Sequence, residues 1–199
     1  MFAVYQDAVV HLKERLGRYC SYCERPIKVG LAVEHKLPKE HNPLLELEWQ
    51  NFLLSCTNCN SSKGQFNPPA NSIVWPDEHD TFALIAYLPS GAVRPRSGAD
   101  FLVENRVRAT LSMLGLSKHP AEMSSADHRF YDRLEVWQLA IQSRDDLVRR
   151  DSCELRRAIV ETAKATGGYS IWQEVFAADA AMRDAIFLTF VGTRVHPTA

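Results

Sequence analysis

Two Cys-x-x-Cys pairs, Cys20/Cys23 and Cys56/Cys59, are the residues with the clearest chemistry in this chain. Four thiolates suit a closed, tetrahedral zinc site, and they can all reach one ion if the chain between the pairs doubles back. In a reducing compartment, paired cysteines bind metal more often than they form disulfides. The alternative is four buried apolar cysteines that happen to pair in sequence. The spacing favours structural zinc.

Polar residues between and just after the cysteine pairs could perform hydrolysis. His35 precedes a Pro-rich loop, and a neutral imidazole near pH 7 is a suitable general base for activating water. Glu34 and Asn60 offer oxygen donors that suit Mg²⁺ or Mn²⁺, which would stabilise charge on a phosphoryl group. We expect Asn51 to steady the loop that orients His35. Lys63 is predicted to bind a substrate phosphate as a point charge.

Each of these five residues also has a purely structural interpretation, and the sequence leaves both open. Asparagines favour turns and helix caps regardless of function, and exposed charges are common. The alternatives are a core histidine at 35, a surface carboxylate at 34, a turn asparagine at 51, a capping asparagine at 60 and a solvated lysine at 63.

The charge balance does not favour a free-standing, tight nucleic-acid binder. The chain has 23 Lys and Arg against 24 Asp and Glu, a net charge of −1. Because non-specific affinity for nucleic acid depends on neutralising phosphates, any such affinity must come from a local patch, a metal or a partner protein. No apolar run approaches the length of a membrane span, and charged residues at 11–15 interrupt any signal peptide. We predict a cytoplasmic protein with no membrane association.

The hydrophobic pattern predicts an α+β fold, with a small zinc-knot core at 1–69 and a mostly helical accessory region at 70–199. The Pro- and Asn-rich stretch 67–71 is the predicted linker. The polar run 77–80 is interpreted as an exposed loop. In the core we predict a helix over 5–16 ending at Gly17, a hairpin over 27–35, a strand at 52–55 and a short helix over 57–63. In the accessory region we predict a strand at 82–87 followed by a turn and a second strand, helices from about 104, a break at Gly167-Gly168, and a last helix over 171–190.

The motif residues together resemble the HNH endonucleases of the His-Me finger (ββα-metal) class that carry a four-cysteine zinc knot. The resemblance implies that His35 is the general base and that Asn51 steadies it. It implies that Glu34 and Asn60 hold a catalytic Mg²⁺ or Mn²⁺, where many relatives have Asp and His, and that zinc is structural only. The stretches that carry it are Glu34-His35, Pro38-Lys39, Trp49, Asn51–Ser55, Cys59-Asn60 and Lys63-Gly64, together with the other three cysteines.

More narrowly, the same stretches are similar to the nuclease subunits of Septu-type (PtuB-like) anti-phage systems. That similarity implies an ABC- or SMC-like ATPase partner, which would control the nuclease and could hold the nucleic acid. DNA is favoured as the substrate. Two alternatives remain open: a non-catalytic zinc-ribbon module that binds nucleic acid or protein, and an HNH nuclease that cleaves RNA such as tRNA.

Overall fold

In the computed structural model, which describes residues 2–193, two small antiparallel sheets are combined with eight helices. This agrees with the predicted α+β class. The strands are β1 (Ala32–His35), β2 (Phe52–Ser55), β3 (Ile85–Tyr87) and β4 (Val93–Pro95). The helices are α1 (Ala8–Leu16), α2 (Thr57–Lys63), α3 (Thr81–Leu84), α4 (Phe101–Met113), α5 (Arg129–Arg149), α6 (Cys153–Thr166), α7 (Tyr169–Val175) and α8 (Ala180–Thr189).

Helix α1 covers one side of the β1–β2 hairpin. It follows a 3-10 turn at Tyr5–Asp7 and ends at Gly17, where a φ of 70° stops the helix. Leu12 packs with Phe52 and Leu54 in a small buried cluster. The predicted helix is therefore confirmed, apart from its first turn.

The predicted hairpin over 27–35 is wrong, because β1 pairs with β2 instead. All four residues of β2 are buried, so its backbone groups require a partner strand in the core. Residues 26–27 instead pair back onto 18–19 around the first Cys-x-x-Cys turn, through the Tyr19–Pro26 bridge and the Ile27 N–H bond to the Arg18 carbonyl. The β1–β2 register places Glu34 opposite Leu53 and His35 opposite Phe52.

A second, larger buried cluster spans the predicted 69/70 boundary. It contains all four paired cysteines together with side chains from β3, α5, α7 and α8, including Trp172 and Phe176, which are almost fully buried. The boundary stays a prediction, and in the described residues the two regions share this core.

The later elements differ from prediction at two places. Residues 81–84 form a helical turn before β3, and the predicted helix over 171–190 is split into α7 and α8. Asp179 caps α8 by accepting a hydrogen bond from the Met182 N–H at 3.0 Å, which explains the new start. Across residues 2–193, no helix combines the length and the apolar character needed to cross a bilayer.

Candidate functional site

The two Cys-x-x-Cys turns bring four sulfur atoms together, all within 4.8 Å of one another and all from buried residues. The Cys23 and Cys56 sulfurs are 3.8 Å apart. A tetrahedron with Zn–S bonds of about 2.3 Å has sulfur–sulfur separations of about 3.8 Å. Contacts with the other three sulfurs, Cys20 foremost, lower the pKa of the Cys56 thiol. The donor set and its spacing fit structural zinc.

A buried arginine from α5 lies against this zinc knot. Arg129 donates from Nη1 to the Cys59 sulfur at 3.2 Å and to the Leu114 carbonyl at 2.8 Å. Burial works against its charge, but Asp127 and the Cys59 sulfur raise the pKa of Arg129 above the ordinary value. Four thiolates around Zn²⁺ leave a net charge of about −2. With zinc bound, Arg129 would offset part of that charge through its hydrogen bond to the Cys59 sulfur.

The imidazole of His35 is fixed at the end of β1. Its Nε2 atom lies 3.0 Å from the backbone carbonyl of Glu46, which can only accept, so Nε2 carries the proton. The ring makes edge contacts with Tyr5 and Phe52, at centroid distances of 4.9 and 5.2 Å. In the neutral imidazole Nδ1 then keeps its lone pair, and no group within residues 2–193 hydrogen-bonds to Nδ1. This is the state that a general base requires.

Asn51 is a buried clamp on the loop after β1. Its Oδ1 accepts from the Leu37 N–H at 2.8 Å, and its Nδ2 donates to the Leu37 and Leu45 carbonyls at 2.9 and 3.1 Å. Glu46, whose carbonyl orients His35, directly follows Leu45. The predicted role in steadying the base remains a proposal, and these contacts support it.

Glu34 and Lys63 form a buried ion pair that joins β1 to α2. Their exposed fractions are 2% and 3%, and the Lys63 Nζ lies 2.8 Å from the Glu34 Oε1. Burial raises the pKa of the Glu34 carboxyl, and Lys63 offsets part of the rise. The burial of Lys63 is incompatible with the predicted phosphate contact, because its ammonium is committed to Glu34.

The predicted arrangement, in which Glu34 and Asn60 hold one metal ion beside His35, is not the arrangement found. Successive residues of a strand point to opposite faces, so His35 lies on the α1 side with Phe52 while Glu34 faces α2. Asn60 is exposed on α2, and within the described residues no hydrogen bond joins it to Glu34. Since the carboxylate already holds an ammonium, Glu34 and Asn60 do not fit a divalent ion in this conformation.

Sequence reasoning missed the pairing of Lys36 with the acidic run 77–80. Lys36 is buried, and its ammonium lies 2.8 Å from Asp77 and 2.6 Å from Glu78. His79 accepts from Arg106 at 2.7 Å. The run is therefore not simply an exposed loop: it ties the end of β1 to residues beyond the predicted linker. Glu34 in β1 and Lys36 just after it, two residues apart, were an available signal, but nothing in the spacing identified their partners.

The family model described as HNH endonuclease matches residues 20–66, the stretch that contains the zinc knot, His35 and Lys63. Residues 20–66 are an HNH endonuclease domain. The HNH domain thus includes both strands of the first hairpin and α2, whereas Tyr5 and Arg129 lie outside it.

One curated relative extends the comparison. The Septu protein PtuB of Bacillus thuringiensis is 37% identical over 68 residues. The match covers 33% of this chain and 26% of PtuB, so the chain spans about a quarter of the length of that relative. The match leaves most of both chains unmatched.

Proposed function

We propose that this protein is an endonuclease that hydrolyses phosphodiester bonds of nucleic acid, with DNA favoured over RNA. The observation that carries the proposal is the geometry of His35 within the HNH domain: one ring nitrogen is anchored to a carbonyl and the other is free. A general base requires this arrangement.

In the proposed reaction, the Nδ1 atom of His35 takes a proton from a water molecule. The water oxygen forms a bond to phosphorus, and the phosphorus bond to the leaving oxygen breaks; that oxygen takes a proton from solvent. The Glu46 carbonyl holds the imidazole in the correct tautomer and also stabilises the imidazolium that forms. Asn51 keeps Glu46 in place by clamping the loop through Leu45.

We retain dependence on Mg²⁺ or Mn²⁺ as part of the proposal, because it is the usual requirement of HNH nucleases. Such an ion would stabilise charge on the phosphoryl group when bound. Glu34 is paired with Lys63 and is therefore not free to hold the ion in this conformation.

The proposed setting is anti-phage defence, with an ABC- or SMC-like ATPase partner that controls the nuclease. The similarity to PtuB supports this setting. The chain's net charge of −1 also supports a partner, since a protein with little positive charge gains from one that holds the nucleic acid.

The test is cleavage of plasmid DNA and of total RNA by the purified protein with Mg²⁺ or Mn²⁺, with and without an ATPase encoded by a neighbouring gene. We expect DNA cleavage that EDTA abolishes. His35→Ala should reduce the rate by about 10²–10⁴-fold, the usual contribution of a general base. Cleavage that persists at full rate in His35→Ala would refute the role of His35, and cleavage of RNA alone would change the substrate.

A second candidate, a non-catalytic zinc module that binds nucleic acid or protein, is favoured by one observation. The residue expected to bind the catalytic ion, Glu34, is instead neutralised by Lys63. On this alternative, Cys56→Ser would abolish folding and every activity, whereas His35→Ala would leave binding and function intact.

A further inference from the structure

A phosphodiester bound beside His35 needs a cation on the α1 side of the hairpin. The cation predicted from sequence, Lys63, lies on the opposite side and is buried with Glu34. Lys39 follows β1 by four residues, and its side chain is 35% exposed. Its ammonium is therefore available to solvent and to a ligand.

Two contacts fix the ammonium of Lys39 next to the His35 ring. Its Nζ lies 4.7 Å from the centroid of the Tyr5 ring, and Tyr5 is in edge contact with His35 at 4.9 Å. The same Nζ donates to the Glu46 carboxylate at 3.0 Å, while the Glu46 backbone carbonyl holds His35. Tyr5 and Glu46 thus each contact both Lys39 and His35.

We infer that Lys39 is the phosphate-binding residue of the His35 site, and that Tyr5 and Glu46 position it. This inference rests on the proposed function for its substrate class. A phosphate oxygen at the site replaces the Glu46 carboxylate as the partner of the ammonium, while the ring of Tyr5 continues to hold the cation through its π face. Tyr5 lies outside the matched HNH stretch, so this chain uses its own N-terminal turn to build the site.

The test measures binding of a fluorescein-labelled DNA duplex in EDTA at a series of salt concentrations, with Lys39→Gln compared to the unmodified protein. Each phosphate contact contributes about 0.9 to the slope of log K against log salt. We expect Lys39→Gln to reduce that slope by about 0.9. Lys118→Gln, which removes the same charge from an exposed loop lysine, should leave it unchanged.

Two further variants separate phosphate binding from a structural role. Glu46→Gln removes the competing carboxylate and should tighten binding, whereas loss of a merely structural ion pair would not. Lys39→Arg should restore the slope. An unchanged slope in Lys39→Gln, or an equal fall in Lys118→Gln, overturns the inference.

If the duplex binds too weakly for the salt dependence to be measured, the protein is titrated with dimethyl phosphate and the lysine side-chain signals are followed by NMR. A shift of the Lys39 signal that saturates supports the site, and the absence of a shift overturns it. Failure of the proposed function is distinct, because a protein that cleaves nothing can still show the Lys39-dependent slope. Conversely, cleavage by a protein whose binding slope does not depend on Lys39 would refute the role of Lys39 and leave the proposed function intact.

Discussion

A buried ion pair stabilises a fold only while both of its charges remain. Glu34 and Lys63 are both almost fully buried, and each is the other's ion-pair partner. Loss of one charge leaves the other uncompensated in a low-dielectric setting, at a cost of about 3–5 kcal/mol, whereas removal of both is often close to neutral.

Lys63→Met should therefore lower the free energy of unfolding by about 3 kcal/mol. The double variant Glu34→Gln, Lys63→Met should recover most of that loss. Urea denaturation with zinc present measures both. If the single and double variants are equally destabilised, lost packing at position 63 is responsible rather than the uncompensated carboxylate.

The stability difference between these two variants should depend on pH, and the pKa of Glu34 sets the direction. Burial raises its folded-state pKa, and Lys63→Met removes the ammonium that offsets the rise. The folded variant then binds the proton more tightly than the unfolded chain, whose glutamate pKa is about 4.3. The destabilisation that the uncompensated Glu34 carboxylate causes is full above the raised folded-state pKa and disappears as the pH falls toward about 4.3. The stability gap between single and double variants should therefore be largest near neutral pH; a constant gap contradicts this.

At the scale of elements, the side chain of Asn51 is a central tether of the loop between β1 and β2. Asn51 satisfies three backbone groups of that loop, on Leu37 and Leu45. A loop without secondary-structure pairing depends on such contacts for its conformation, and here the loop carries the carbonyl that orients His35.

Asn51→Ala should make this loop more mobile while zinc stays bound to the four cysteines. Buried backbone groups that lose their partners cost about 1–3 kcal/mol each, so the loop is expected to open to water. Hydrogen exchange of residues 36–48 should accelerate and cleavage should fall, with zinc content unchanged. Gln50→Ala alters the exposed neighbour and serves as the control. Unaltered exchange in Asn51→Ala would show that the loop is held by other contacts.

Local signals were sufficient to predict some of these elements and not others. The cysteine turns, the short helix over 57–63 and the strand at 52–55 depend on spacing within a few residues, and the structure confirms them. The partner of β1 is the distant strand β2, which local signals do not identify. The prediction that β1 belongs to a hairpin with residues 27–31 is wrong. The positions of Tyr5 and Lys63 relative to Glu34-His35 follow from helix docking and strand register, which a linear pattern does not encode.

At the scale of the whole molecule, distant segments complete the zinc knot. Arg129 of α5 contacts the Cys59 sulfur, and Tyr19, beside the first cysteine, donates to the Lys164 carbonyl at 2.7 Å. The Glu24 carboxylate accepts two hydrogen bonds from Ser170, one from the Ser170 backbone N–H at 2.8 Å and one from the Ser170 hydroxyl at 2.6 Å. The HNH domain therefore relies on the helices that follow it.

Arg129→Met should weaken zinc retention. Residues that hydrogen-bond to metal ligands are typically worth about 10–100-fold in metal affinity, and Arg129 carries a charge opposite to that of the thiolates. Competition with a colorimetric chelator measures the change. Arg150→Met, at an exposed position after α5, is the control. Equal zinc affinity in both variants would mean that Arg129 serves packing alone.

The glycine pair between α6 and α7 closes directly on the first cysteine turn. The Gly168 N–H donates to the Glu24 carbonyl at 3.0 Å, and a Cβ at Gly167 would lie 2.4 Å from that same oxygen. During synthesis on the ribosome, both cysteine turns emerge before the glycine pair that packs against the first of them. The contact between Gly168 and Glu24 therefore forms only after both cysteine turns have been synthesised.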